Sequence, residues 1–239
     1  MSLLNTSLEL NSERFVDVIS KADNTPTLDV EHELLSTGAI TVGGLDEVGR
    51  GAWAGPVMMG VVVVTLQTPQ PPKGVRDSKL VAPAKRISLV PAIEQWAADF
   101  ALGSATPAEC DEFGMTKALG LAAVRALLGL KELPDVVLLD GPVNLVAASE
   151  LGHLVVRNEV KADLRCGSVA AASILAKVAR DHLMEEMDEV YPGYDFSGNK
   201  GYHSASHVEG LDRFGLSDIH RLSWSFAEGR ERRNEPHSG

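Results

Sequence analysis

The sequence predicts an α/β domain in which helices flank a mixed β-sheet and the C-terminal part is helical. Three observations predict it. A β-branched run at residues 57–65 follows a first candidate strand at 40–48, and a short, wholly apolar run at 136–140 reads as a strand buried on both faces. An alanine-rich segment from Ser168 to about Val190 has the strongest helical pattern in the chain. Strands first, then helices alternating with short buried strands, imply a mixed sheet with helices packed on it.

The elements follow in order. Residues 1–38 are polar and weakly periodic, with the turn former Asn24-Thr25-Pro26, and read as an acidic, partly disordered N-terminal extension with a short helix at 30–35. Segments 40–48 and 57–65 form a hairpin across a loop of three glycines and a proline at 49–56. The proline-rich stretch 66–74 is a loop. Ile87, Val90, Ile93, Trp96 and Ala97 give 83–100 helical spacing, which Pro91 interrupts with a kink or a split. Thr106-Pro107-Ala108-Glu109 matches a capping box that starts a short helix, and a longer helix covers 115–130. The buried strand 136–140 delivers Asp140 to the sheet rim before Gly141-Pro142, and 153–157 is the next strand. Beyond Pro192 come loops rich in glycine, tyrosine and histidine and a helical patch at 207–214. The main domain thus spans 39–227, and a charged tail at 228–239 reads as disordered.

Composition narrows the function classes. The chain has 239 residues, two cysteines and a net charge of −11. Cys110 and Cys166 are too few for a disulfide framework and lack zinc spacing, which fits a reducing cytoplasm. The longest apolar run is far too short for a membrane span, so a cytoplasmic protein without membrane contact is expected. Net acidity argues at first against a polyanionic partner. However, residues 1–39 hold seven acidic side chains against Arg14 and Lys21, and four further carboxylates are candidates for a metal site. A nucleotide-binding P-loop is excluded, because no Lys-Ser pair follows the glycine-rich loop.

Asp46-Glu47 ends a strand just before Gly49-Arg50-Gly51, where packing does not need a charged pair. Asp140 and Asp163 lie at similar strand ends or helix entries. Any one of these aspartates alone is more often a cap or turn residue. Together, carboxylates at strand ends converge in one cleft of an α/β sheet, where their repulsion requires a divalent cation, and hard oxygen ligands suit Mg²⁺ or Mn²⁺. Neighbours on a regular strand point to opposite faces, so Asp46 and Glu47 share a site only if the strand ends or bulges there. His203, His207 and His220 lack the spacing of a zinc pair.

The string Gly44-Leu-Asp-Glu-Val-Gly-Arg-Gly51, followed by Ala54-Gly-Pro-Val57, resembles the signature of the ribonuclease HII family. Further blocks resemble it in the same order: Asp77-Ser-Lys79, Leu139-Asp-Gly141, Lys161-Ala-Asp163, the segment from Ser168 to Asp181, Tyr191-Pro-Gly-Tyr194, Lys200-Gly-Tyr202, His207 and His220-Arg221. The likeness runs from about Leu45 to Phe226. It implies a ribonuclease H-like fold, and it puts Asp46, Glu47, Asp140 and Asp163 at the family's four metal-binding catalytic positions. The implied activity is a two-metal endonuclease that cuts the RNA strand of RNA/DNA hybrids and cuts 5′ of single ribonucleotides in duplex DNA, leaving a 5′-phosphate and a 3′-hydroxyl.

The same resemblance makes Gly49, Arg50 and Gly51 a ribose-reading loop and Tyr202 the residue that packs on the adjacent sugar. Lys200 is a phosphate contact. Ser78 and Lys79, with Asp77, bind phosphate, shape a loop or form a solvated turn, and Lys177 and Arg180 face phosphate or solvent. Ala52 and Trp53 depart from the family pattern, where proline and a smaller aliphatic are usual, and this bears on the shape of the loop. The resemblance needs no second chain, so a monomer is expected.

Overall fold

The computed structural model describes residues 25–233. The disorder expected before residue 25 and at 234–239 lies outside them. The short helix expected at 30–35 is α1 (Asp29–Ser36). It is packed into the body: Leu28, Val30 and Leu35 are buried with Val42, Val64, Leu138 and Val169. Glu31 is also buried and accepts from the backbone N–H and the hydroxyl of Ser168 at 2.8 and 2.7 Å. Its apolar residues, few as they are, all face the sheet, so the boundary at residue 38 does not mark where packing begins.

Strands β1 (Val42–Val48) and β2 (Val57–Val64) form the expected antiparallel hairpin. Helix α2 (Pro83–Trp96) runs unbroken through Pro91, so the alternative of a split helix does not hold. β3 (Asp99–Ala105) pairs antiparallel with β2 and was not expected from its composition. Helix α3 (Pro107–Phe113) carries the capping box in full: Thr106 accepts from Glu109 N–H, and Glu109 accepts from Thr106 N–H at 2.8 Å. Arg125, on α4 (Met115–Leu128), then grips the same carboxylate at 2.6 Å. β4 (Val136–Asp140) and β5 (Val155–Glu159) complete a five-stranded sheet in the order β3-β2-β1-β4-β5, with β1-β4 and β4-β5 parallel. The sheet is mixed, as expected.

Helices cover both faces. α4 packs Leu119, Ala122, Ala123 and Leu127 on Leu45, Met59, Val61 and Val137. The opposite face takes α2 and the long α5 (Gly167–Val190), whose Ala170, Ala171, Ala172 and Ile174 lie on Val62. The approach of α5 is close enough that a Cβ on Gly60 would stand 2.5 Å from Ala172 O, so small residues on both sides set the spacing. The C-terminal part, with α6 (Phe196–Asn199) and α7 (Ala205–Phe214), encloses a second core of Met184, Tyr194, Phe196, Leu211 and Leu216 against Ala54. The beginning of the charged tail is held there, with the Arg233 guanidinium 4.8 Å from the Phe214 ring centroid. Cys110 and Cys166 are buried free thiols. No helix among the described residues is long and apolar enough to cross a membrane.

Candidate active site

β1 and β4 are parallel neighbours whose ladder ends at Leu45 opposite Leu139. Asp46 and Asp140 come next, at the carboxyl ends of two adjacent strands, where α/β sheets open a crevice. Asp163 joins them from the turn Ala162–Leu164 at the entry to α5. Lys161 takes a left-handed conformation there (φ 59°), and Ala162 N–H donates to Asp140 Oδ1 at 2.7 Å, which ties the turn to the end of β4. At Glu47 the strand neither ends nor bulges, since β1 runs through it to Val48; what stops is the ladder with β4. Pairing with β2 continues in register to Val48, whereas pairing with β4 has already stopped at Leu45. Beyond that edge Glu47 is half-buried and feels the charge of Asp140 despite its opposite pleat.

The electrostatics are those of crowded carboxylates. Burial first, then Glu47 and Asp140, hold the Asp46 carboxyl well above its usual range, although Asp46 Oδ1 accepts from Glu47 N–H at 2.8 Å. Burial also raises Glu47, against the Arg50 guanidinium 3.6 Å away. Asp163 is raised by burial, then by Asp77 and Asp140. Burial alone would lower Lys79, but Asp77, Asp46, Asp163 and Asp140 together outweigh it and raise it. As placed, no three His, Cys, Asp or Glu side chains among the described residues close around a single point at ligand spacing. The donors nevertheless fit a hard divalent cation: all are carboxylate oxygens, and Asp46, Glu47 and Asp163 each stand near enough to feel the charge of Asp140, a repulsion such an ion would relieve. Closing on an ion requires side-chain rotation.

The loop after β1 leads directly from these carboxylates. Gly49 has φ +86°, and a Cβ there would meet Arg180 Nε at 2.3 Å and Pro56 O at 2.8 Å. Its N–H donates to the Tyr202 hydroxyl at 3.1 Å, so the loop and Tyr202 are brought together. Arg50 is exposed, and Gly51 faces open space. Ala52 is fully buried. Trp53 stacks on Phe226 at 4.5 Å and meets His203 edge-on at 4.7 Å, and its N–H donates to Gly201 O at 2.7 Å. The bulkier residue is thus accommodated by packing against the C-terminal part.

The outlying candidates divide. Lys79 lies by the carboxylates, whereas Ser78 is buried and its N–H donates to Ser173 Oγ at 3.1 Å, a loop-shaping contact. Lys177 is paired with Asp181 at 2.6 Å and lies 5.7 Å from the Tyr202 ring centroid. Lys200 is drawn to Glu185 at 2.7 Å and to Ser197 O, so its ammonium is engaged by the protein. The ring nitrogens of His207 and His220 are taken up by hydrogen bonds. His220 Nδ1 accepts from Ser217 N–H at 2.9 Å, which leaves its proton on Nε2 to bridge His207 Nε2 at 3.0 Å. His207 Nδ1–H then donates to Tyr202 O at 2.8 Å. Burial, then the neighbouring His207, lowers His220 to about 3, which keeps the pair neutral.

Two buried arginines complete the site: Arg180, expected to face phosphate or solvent, and Arg221, to which the sequence reading gave no role of its own. Arg180 faces neither phosphate nor solvent: it is fully buried and donates to the carbonyls of Pro56, Lys200 and Ala54 at 2.9, 2.8 and 3.0 Å. Arg221, equally buried, donates to the carbonyls of Gly49, Arg50 and Gly55 at 2.6, 2.9 and 3.1 Å. Their place in matching blocks is the one signal that could have marked them.

Known proteins agree with this picture. The family model described as Ribonuclease HII matches residues 43–227. The chain is 46% identical over 211 residues to the Ribonuclease HII of Streptomyces griseus, covering 87% of each, and 46% identical over 182 residues to that of Thermus thermophilus, covering 76% of this chain and 85% of the other. Among solved structures, the ribonuclease H2 of Pyrococcus horikoshii superposes with a TM-score of 0.63 at 28% identity, covering 79% of this chain and 95% of that one. The α/β sheet, its flanking helices and the order of the matching blocks therefore have a single source: the chain belongs to the ribonuclease HII family.

Proposed function

We propose that this chain is an endonuclease that hydrolyses the RNA strand of RNA/DNA hybrids and cuts 5′ of single ribonucleotides embedded in duplex DNA, leaving a 5′-phosphate and a 3′-hydroxyl. Its role would be removal of ribonucleotides from DNA and of primer RNA, as a monomer in the cytoplasm. One juxtaposition supports the reading most: β1, which sets Asp46 and Glu47 beside Asp140 at the end of β4, runs directly into the Gly49-Arg50-Gly51 loop, which Tyr202 meets through its hydroxyl.

In this reading Asp46, Glu47, Asp140 and Asp163 hold Mg²⁺ or Mn²⁺. Bound cations would supply activation of the attacking water and stabilisation of the departing 3′ oxygen. The protein's own share is orientation. Ala162 N–H fixes one oxygen of Asp140, and Glu47 N–H fixes one of Asp46, so each carboxylate keeps its second oxygen for a cation. The exposed backbone at Arg50 and Gly51 approaches the ribose, the Arg50 guanidinium faces a phosphate, and the Tyr202 ring packs on the neighbouring sugar. Lys79, beside the carboxylates, is a phosphate contact. Lys177 and Lys200 reach phosphate only by exchanging Asp181 and Glu185 for it.

The test is cleavage of a duplex with one ribonucleotide beside the same duplex made all-deoxy, with Mg²⁺ or Mn²⁺. Only the first should be cut, at the 5′ side, and Asp140→Asn or Asp163→Asn should abolish cutting while the circular dichroism spectrum stays unchanged. Equal cutting of both duplexes would refute ribose recognition, and turnover by the Asn variants would refute the carboxylate assignment.

A further inference from the structure

The loop that follows β1 can be accounted for donor by donor. Gly49 N–H is taken by the Tyr202 hydroxyl, Ala52 N–H by Gly49 O, Trp53 and Ala54 N–H by Gly201 O, and Gly55 N–H by Ile219 O. Residue 56 is proline. The N–H groups of Arg50 and Gly51, both on exposed residues, are left without a protein acceptor among the described residues.

These two donors belong to the peptide units whose carbonyls are those of Gly49 and Arg50. Both carbonyls are held by one buried side chain: Arg221 donates Nη2 to Gly49 O at 2.6 Å and Nη1 to Arg50 O at 2.9 Å. A trans peptide unit is planar, with its C=O and N–H pointing in opposite directions, and there is no cis bond among the described residues. A guanidinium that pins two successive carbonyls inward therefore directs two successive N–H groups outward. The cation also polarises both units, which strengthens the donors at their far ends. The third carbonyl it holds, that of Gly55, precedes Pro56 and has no N–H on its unit, so it serves only as an anchor.

Arg180 supplies the contrast. It is just as buried and holds as many carbonyls, but the N–H groups of its peptide units are already bonded: Gly55 to Ile219 O, Val57 to the Cys110 sulfur and Gly201 to Asn199 Oδ1. One arginine braces the fold, and the other aims free donors.

We propose that Arg221 is a positioning residue that sets specificity: by holding the carbonyls of Gly49 and Arg50, it orients and strengthens the Arg50 and Gly51 N–H groups that grip the 2′-hydroxyl of the ribonucleotide. This rests on the ribose-reading role of the loop proposed above.

The test uses the full chain carrying Asp140→Asn to prevent turnover, with Mg²⁺ present, and measures affinity by fluorescence anisotropy for a single-ribonucleotide duplex and its all-deoxy counterpart. Lysine at 221 keeps the charge but loses the fork that spans two carbonyls. Adding Arg221→Lys should shrink the ribo-over-deoxy affinity ratio about fivefold or more, because an unaimed donor no longer favours the hydroxyl, while affinity for the all-deoxy duplex stays within about twofold. Adding Arg180→Lys instead should leave the ratio unchanged, whatever it does to thermal stability. A ratio untouched by Arg221→Lys, or lowered equally by Arg180→Lys, overturns the proposal. Should Arg221→Lys not fold, the Asp140→Asn protein itself answers by NMR: the amide protons of Arg50 and Gly51 should move downfield with the ribonucleotide duplex and not with the deoxy one, and no such difference overturns the proposal. If the Asp140→Asn protein shows no preference for the ribonucleotide duplex, the ribose-reading role fails first, and the role of Arg221 falls with it.

Discussion

Gly49 and Gly51 flank Arg50 in one short loop, yet the structure separates what each does, and alanine at each position should give opposite results. At Gly51 an added Cβ meets nothing within 4 Å, and the residue is absent from the positive-φ glycines. Alanine there should fold without strain and gain about 0.4–1 kcal/mol from the stiffer unfolded chain. At Gly49, φ is +86° and the new Cβ would stand 2.3 Å from Arg180 Nε, a side chain locked by three carbonyls. A left-handed alanine costs about 1–2 kcal/mol and overpacking about 1–3 kcal/mol more, so Gly49→Ala should lose roughly 2–5 kcal/mol. Thermal melts should therefore place Gly51→Ala at or slightly above the parent and Gly49→Ala about 5–15 °C below it. Activity should not follow stability. If the backbone at Gly51 closes on the ribose, a methyl group in that open space should lower kcat/KM on a single-ribonucleotide duplex about tenfold or more, equivalent to ~1.4 kcal/mol of transition-state binding, in a protein that is not destabilised. Wild-type kcat/KM for Gly51→Ala would refute a close approach of substrate to the loop, and a melt as low as that of Gly49→Ala would refute the open space.

Two further outcomes are expected. The Asp46 carboxyl, raised by burial and its acidic neighbours, stays protonated in the folded state to a higher pH than in the unfolded chain. Its contribution is then fully present below the unfolded value of about 3.9 and lost as pH rises through the raised one. Without divalent cation, Asp46→Asn should thus raise the melting temperature at neutral pH, with the gain shrinking as pH falls toward 4; a gain constant across pH would contradict the coupling. Glu31→Ala should cost about 1.5–3 kcal/mol in urea denaturation, because it leaves the buried N–H and hydroxyl of Ser168 without their acceptor. A loss under about 0.5 kcal/mol would show that α1 does not dock on the body in solution.

The sequence discloses elements whose pattern is local. The hairpin, the apolar β4 and the alanine-rich α5 carry their own signals, and the carboxylates mark strand ends. β3 is invisible for a physical reason. Asp99–Ala105 is poor in β-branched residues and includes Gly103, where a Cβ would strike Ala122 O at 2.2 Å; its extended form comes from pairing with β2 and from the close approach of α4. α1 is legible as a helix, but its docking on the body is not, because three apolar anchors in a polar stretch are too few to mark a buried face. Arg180 and Arg221 hide because an arginine in sequence reads as surface, and only the fold shows six carbonyl oxygens turned toward them. Lys200 shows the converse: its charge suggests a phosphate ligand, and only the fold shows that Glu185 is already paired with it.

The clasp between Glu31 and Ser168 also has a consequence in time. Its partners lie 137 residues apart in the chain. At synthesis rates of roughly 5–20 residues per second, Ser168 is made about 7–27 s after Glu31. Until then the carboxylate that will be buried has no acceptor-hungry helix end to meet. Asp163 enters the chain in the same interval, five positions ahead of Ser168, and Thr27 pairs with the segment between them through Arg165 O and Gly167 N–H. On the ribosome, the docking of the N-terminal segment and the arrival of the last carboxylate therefore belong to one late event, so the nascent protein gains its seal and the fourth carboxylate of the candidate site together.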